Sequence, residues 1–249
     1  MKILVALKQV PDTETKVKVA ADGRSLDPTD VKWITSPYDE YALEEAIRLK
    51  ESAQAEVTVV TLGDDKGKDV LRNALALGAD NAILLKGDGQ GDAFAVASAL
   101  AAYAKDKGFD LILAGNKGMG GDNSAVGPML AELLGWAQAN VVVKLELTGA
   151  GFRAEREIEG GSEAVEGSLP AVITAQKGLN EPRYASLKGI MAAKKKTIEE
   201  ADAAGLPAAS AWSALTLPPA RPEGRKLEGD AASQAKSLFG LLRDEAKVI

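Results

Sequence analysis

The chain has 249 residues, 46% of them hydrophobic, with 30 basic against 36 acidic side chains and a net charge of −6. That balance argues against general nucleic-acid binding. The apolar runs are strand-sized, too short to cross a membrane. Cysteine and histidine are both absent, which removes disulfides, thiolate metal sites, thiol nucleophiles and the commonest general base near neutral pH.

Taken in order, the elements alternate. Lys2 to Leu7 is an apolar strand, and Met1 to Lys8 is too short between charges for a secretory signal, so a cytoplasmic location is expected. Val17 to Leu26 predicts a small hairpin around Asp22-Gly23. Asp39 to Ser52 has helical spacing, Val57 to Leu62 alternates as a strand, and Lys68 to Leu77 is a helix stopped by Gly78. Ala82 to Leu85 is a strand, Ala93 to Lys105 an alanine-rich helix, and Leu111 to Ala114 another strand. Strands separated by helices of this length predict an α/β fold with a doubly wound, mostly parallel sheet.

A glycine-rich turn follows, from Gly115 through Gly118, Gly120 and Gly121, and leads into a helix from Pro128 to Leu134. Glycines let such a backbone turn tightly and approach a ligand, and the N–H groups at the next helix start favour an anion. The loop therefore reads as a phosphate cradle or as an ordinary glycine-rich connection. In doubly wound sheets ligands bind at strand carboxyl ends where strand order reverses, which selects three exits: Ala6 to Lys8, Thr61 to Gly63, and Gly115 onward.

After Trp136 the pattern changes. Ala139 to Thr148, Phe152 to Ile158, Glu163 to Ser168 and Ala171 to Gln176 are strands without intervening helices and predict an antiparallel addition. Asn180 to Met191 is irregular, and the run Lys194 to Lys196 reads as a solvated face or a rim that steers acidic partners. Residues 1–198 are expected to form the α/β domain. Residues 199–249 are expected to form a proline- and alanine-rich arm ending in an amphipathic helix from Ala231 to Lys247, which packs on its own domain or on a partner.

Several blocks, in order and across essentially the whole chain, make it resemble the beta subunits of electron transfer flavoproteins. They are Lys8 to Thr13, Ser36 to Lys50, Leu71 to Asp80, Ala154 to Thr174, and Asn180 to Leu187 with Ile190-Met191 and the lysine run. The resemblance implies a non-catalytic electron carrier, assembled with an alpha subunit that holds most of a redox-active FAD. It further implies electron donors such as acyl-CoA and related dehydrogenases, as in fatty-acid or amino-acid oxidation, and a downstream quinone reductase.

Carried onto this sequence, the family's nucleotide residues are Ala6, Ser36, Pro37, Tyr38, Asp39 and Leu62. To these it adds the stretch Gly115, Asn116, Lys117, Gly118, Met119, Gly120, Gly121, Asp122, Asn123, Ser124, Ala125 and Val126. AMP is the ligand in the common form. The loop departs from that form, with Gly120, Gly121, Ser124 and Val126 where acidic residues, an asparagine and a threonine are usual, and Val126-Gly-Pro128 resembles bifurcating members that hold a second FAD in place of AMP.

The family's recognition loop falls on Arg183, Tyr184, Ala185, Ser186, Leu187, Lys188, Gly189, Ile190, Met191 and Ala192, with Leu187 as an anchor for a dehydrogenase pocket. Read from the residues alone, Leu187 and Ile190 rather cap the core beneath a turn. Glu157 matches a contact to the alpha subunit's flavin domain, or is a solvated strand charge. Two further readings stay open: an adenine-nucleotide hydrolase or ligase, disfavoured because Lys8-Gln-Val-Pro11 is no pyrophosphate loop, and a stand-alone nucleotide-sensing module, disfavoured by the arm.

Overall fold

In a computed structural model that describes residues 1–89 and 91–249, a nine-stranded sheet carries the first of two compact units, Met1–Ala214. Its strand order is β11-β5-β4-β1-β6-β10-β7-β8-β9. The centre is β1 (Lys2–Ala6), flanked by β4 (Glu56–Gly63) and β6 (Leu111–Gly115), both parallel to it. Outward on one side lies β5 (Asn81–Lys86), and on the other β10 (Ala171–Ala175) and β7 (Ala137–Thr148).

Side-chain alternation splits the core into two layers. Ile3 and Val5 of β1 pack with Leu43 and Ile47 of α1 (Pro37–Ala53) and with Leu71 and Leu75 of α2 (Lys68–Leu77). Leu4 points the other way, into a layer with Leu100 of α3 (Ala93–Ala104) and Leu130 of α4 (Val126–Leu134). Helices thus cover both faces, as a sheet of buried apolar strands requires. Gly78 ends α2 as its sequence predicts, and the Asp92 carboxylate caps the start of α3 by accepting from the Ala95 N–H at 2.9 Å.

Four local expectations are revised. Residues 171–176 are not part of the antiparallel piece: β10 runs parallel to β6 and β7, and its five residues are all buried, as in an interior strand. The antiparallel addition is β8 (Gly151–Ile158) on β7, followed by β9 (Gly161–Ser168). The hairpin at Val17 to Leu26 is reduced to a single Val19–Leu26 bridge, its turn held by Asp22 Oδ1 accepting from the N–H groups of Arg24 and Ser25. A short helix, α5 (Leu187–Ala193), replaces the irregular segment, and β11 (Glu199–Asp202) joins the sheet edge beside β5 where an arm had been expected to start.

A two-stranded ribbon, β2 (Gln9–Pro11) and β3 (Trp33–Thr35), has no counterpart in the sequence reading. It turns the chain back so that the Ser36 N–H donates to the Lys8 carbonyl at 2.8 Å. The second unit, Leu215–Ile249, consists of an extended segment and α6 (Ala231–Gly240), continued by a wider turn over Leu241–Glu245. Within that unit Arg225 pairs with Glu245, and no residue of α6 is buried.

Candidate functional site

Chain order runs outward from β1 to β4 and β5, then returns to β6 on the opposite side of β1. The order therefore reverses between β1 and β6, the place where open α/β sheets leave a crevice at their strand ends. The ribbon described above delivers the start of α1 to this point. There the buried Asp39 side chain accepts from the Lys8 N–H through Oδ2 at 2.7 Å and from the Gly115 N–H through Oδ1 at 2.8 Å. One carboxylate thus ties together the exits of the two strands. Burial pushes its pKa up from 3.8 to about 7, against the pull of those two N–H donors.

Gly115 is required by this packing. A Cβ there would lie 2.5 Å from Asp39 Oδ1 and 2.7 Å from the Tyr38 carbonyl carbon. The buried Ser36 hydroxyl accepts from the Met119 N–H at 3.3 Å, so the segment from Ser36 to Asp39 holds the glycine-rich loop at two places. Asn116 donates its N–H to the Ala175 carbonyl at 2.8 Å, anchoring the loop to β10 as well. Lys117 stands over the Tyr38 ring at 5.4 Å and pairs with Asp122 at 3.5 Å.

The remainder of the loop is open. Gly120, Asp122 and Ser124 all adopt positive φ, and the stretch Gly120 to Asn123 is exposed. α4 begins without a side-chain cap. Ala6 and Leu62 end their strands, partly buried in the layer beneath α3 and α4. The sequence-selected residues therefore lie on the exits of β1, β4 and β6, the start of α1 and the loop into α4. Lys8, selected from the sequence only as the end of the Ala6 to Lys8 strand exit and absent from the residues carried over by resemblance, lays its side chain against this loop. Its Cδ sits 2.7 Å from the position a Gly118 Cβ would take.

The segment from Arg183 to Ala192 forms a separate surface. Arg183 fastens it to α1 with a guanidinium fork on Glu44 (Nε to Oε2, 2.9 Å) and Glu51 (Nη1 to Oε1, 2.5 Å), and these carboxylates raise the arginine's pKa further. Ser186 caps α5 by accepting from the Gly189 N–H at 3.0 Å, and Gly189 lies against the Ala76 carbonyl of α2. Arg72 donates to the carbonyls of Ala193 and Lys196, both at 2.6 Å, while the Lys196 ammonium donates to the carbonyls of Ala79 and Asp80. Lys196 is thus a structural fastener, where the run was expected to be a solvated face or a rim that steers acidic partners. With its base fixed, α5 turns Leu187 outward at 83% exposure beside Met191 at 60%. Glu157, exposed on β8, accepts from Gln176 Nε2 at 3.0 Å.

Among the described residues no His/Cys/Asp/Glu group could hold a metal, and no helix is long and apolar enough to cross a membrane. The architecture defines a doubly wound α/β protein whose strand order reverses between β1 and β6. Comparison with known proteins makes the assignment specific. The family model described as "Electron transfer flavoprotein domain" matches residues 25–206. A Bacillus subtilis protein named "Electron transfer flavoprotein subunit beta" is 44% identical, with both chains fully covered. A Bradyrhizobium diazoefficiens protein of the same name is 41% identical, and a rice (Oryza sativa subsp. japonica) protein named as its mitochondrial counterpart is 38% identical, again over the whole of both chains. The chain belongs to the electron transfer flavoprotein family, as a beta subunit.

Proposed function

We propose that this chain binds a nucleotide, AMP, at the β1/β6 switch point and serves as the non-catalytic subunit of a heterodimer whose alpha subunit holds most of a redox-active FAD. In this reading Ala6, Ser36 to Asp39, Leu62 and Gly115 to Val126 cradle the nucleotide. The exposed face of α5, led by Leu187, docks acyl-CoA and related dehydrogenases. Electrons accepted on the complex then pass to a downstream quinone reductase, and Glu157 meets the alpha subunit's flavin domain. The arm and α6 pack on the alpha subunit, which supplies the cover that α6 lacks within its own unit.

The observation that carries the nucleotide reading is the Asp39 clamp, which joins the exits of β1 and β6 and sets an open, glycine-rich loop above them. The residues present suit a phosphate: the loop leaves room for close main-chain approach, the following helix start lacks a side-chain cap, and a lysine lies alongside. A second reading, in which FAD replaces AMP here as in bifurcating members, is favoured by the small residues Gly120 and Gly121 in the loop.

The test is to co-express the chain with its alpha subunit, denature the purified complex and quantify the released nucleotides. One FAD and one AMP per heterodimer support the proposal. Two FAD and no AMP replace it with the second reading, and one FAD alone overturns the nucleotide site.

A further inference from the structure

Lys8 follows β1 by two residues, and its backbone is held on both sides. Its N–H donates to Asp39 and its carbonyl accepts from the Ser36 N–H at 2.8 Å. Lys8 is exposed at the surface. It lies along the glycine-rich loop, with its ammonium 3.0 Å from the point a Gly118 Cβ would occupy and 3.9 Å from the corresponding point at Gly121. Any larger residue at 118 would displace it.

Ordering a lysine in this way costs rotamer freedom. Among the described residues the Lys8 ammonium makes no hydrogen bond or ion pair, and its charge is met by the more distant attraction of the Asp39 carboxylate. The neighbouring cation, Lys117, is already engaged by Asp122 and the Tyr38 ring. An ammonium is a compact charge with three donors, suited to a phosphate oxygen.

We propose that Lys8 is the cationic contact to the phosphate of the nucleotide held by this loop, positioned by the Asp39 clamp and given passage by Gly118. The inference rests on the nucleotide reading above and adds a binding residue to it.

The test uses the heterodimer stripped of exchangeable nucleotide, titrated calorimetrically with AMP and with adenosine, which lacks the phosphate. FAD and riboflavin take their places if the wild type retains FAD. Lys8→Met should weaken AMP binding by about tenfold or more and flatten its salt dependence, while adenosine binding stays within about twofold. Lys8→Arg should restore most of the loss. Equal losses for AMP and adenosine would make Lys8 a structural residue and overturn the proposal, as would an unchanged AMP affinity in Lys8→Met. A wild type that binds neither nucleotide overturns the underlying reading together with this one.

Discussion

The Asp39 carboxylate receives an N–H from each of the two strands between which the chain reverses its order, in a place that water does not reach. Between its ordinary pKa of 3.8 and about 7, the folded protein holds a proton that the unfolded chain has released. The protonated carboxyl's contribution is therefore complete below the ordinary value and is lost as pH rises toward 7. Urea unfolding should show stability falling across this window by at most a few kcal/mol, and Asp39→Asn should remove that slope. A wild-type profile parallel to that of Asp39→Asn would show that this carboxyl does not set the dependence. Asn would also turn an NH2 toward one of the two N–H donors, lowering stability at every pH. Gly115→Ala attacks the same clamp sterically. It should destabilise the fold by about 1–3 kcal/mol and lower the nucleotide content of the complex, both measurable on one preparation.

At the scale of elements, the long periodic segments were legible because an amphipathic helix or a buried strand declares itself within its own residues: α2 is predicted residue for residue. β2, β3 and β11 were not, since strands of three or four residues carry no period and exist only through distant partners. The same division runs through the candidate site. Its glycine loop and strand exits could be read from local pattern and resemblance, whereas the Asp39 contacts span 31 and 76 residues and the seat of Lys8 depends on them. β11 is fastened by Glu200, which pairs with Lys68 and Lys86, each at 2.5 Å, and these lysines hold its pKa down at about 2. That fastening is present above the ordinary carboxylate value of 4.5 and is lost as pH falls toward 2. Amide protection at Glu200 to Asp202, taken relative to the intrinsic exchange rate at each pH, should fall on acidification through that window, and protection unchanged across it would discount the salt bridge. For α5, Leu187→Ala removes an exposed side chain, so stability should change by less than about 0.5 kcal/mol. If α5 docks a dehydrogenase as proposed, reduction of the complex by that donor should slow, with the flavin spectrum unaltered. Unchanged kinetics would leave Leu187 without an anchoring role.

On the scale of the whole molecule, the first unit closes on itself before the arm begins. Asp92 Oδ2 accepts from the N–H groups of Ala209 and Ser210 at 2.9 and 2.7 Å, and the Leu206 N–H donates to the Ser98 hydroxyl, so the chain is secured to α3 up to that point. A chain cut after Ala214 should therefore keep the far-ultraviolet spectrum and thermal transition of the α/β unit yet fail to co-purify with the alpha subunit. Retention of a stable heterodimer after this cut would remove the arm's proposed part in assembly.

The unburied face of α6 also bears on the life of the chain in a cell. Leu238 and Phe239 are 48% and 54% exposed on a helix that its own unit leaves uncovered, and such surface invites chaperones and proteases. Copies made in excess of the alpha subunit would present this helix continuously and be cleared first. Subunit balance would then be set by turnover as well as by synthesis, with the abundance of this chain following that of its partner.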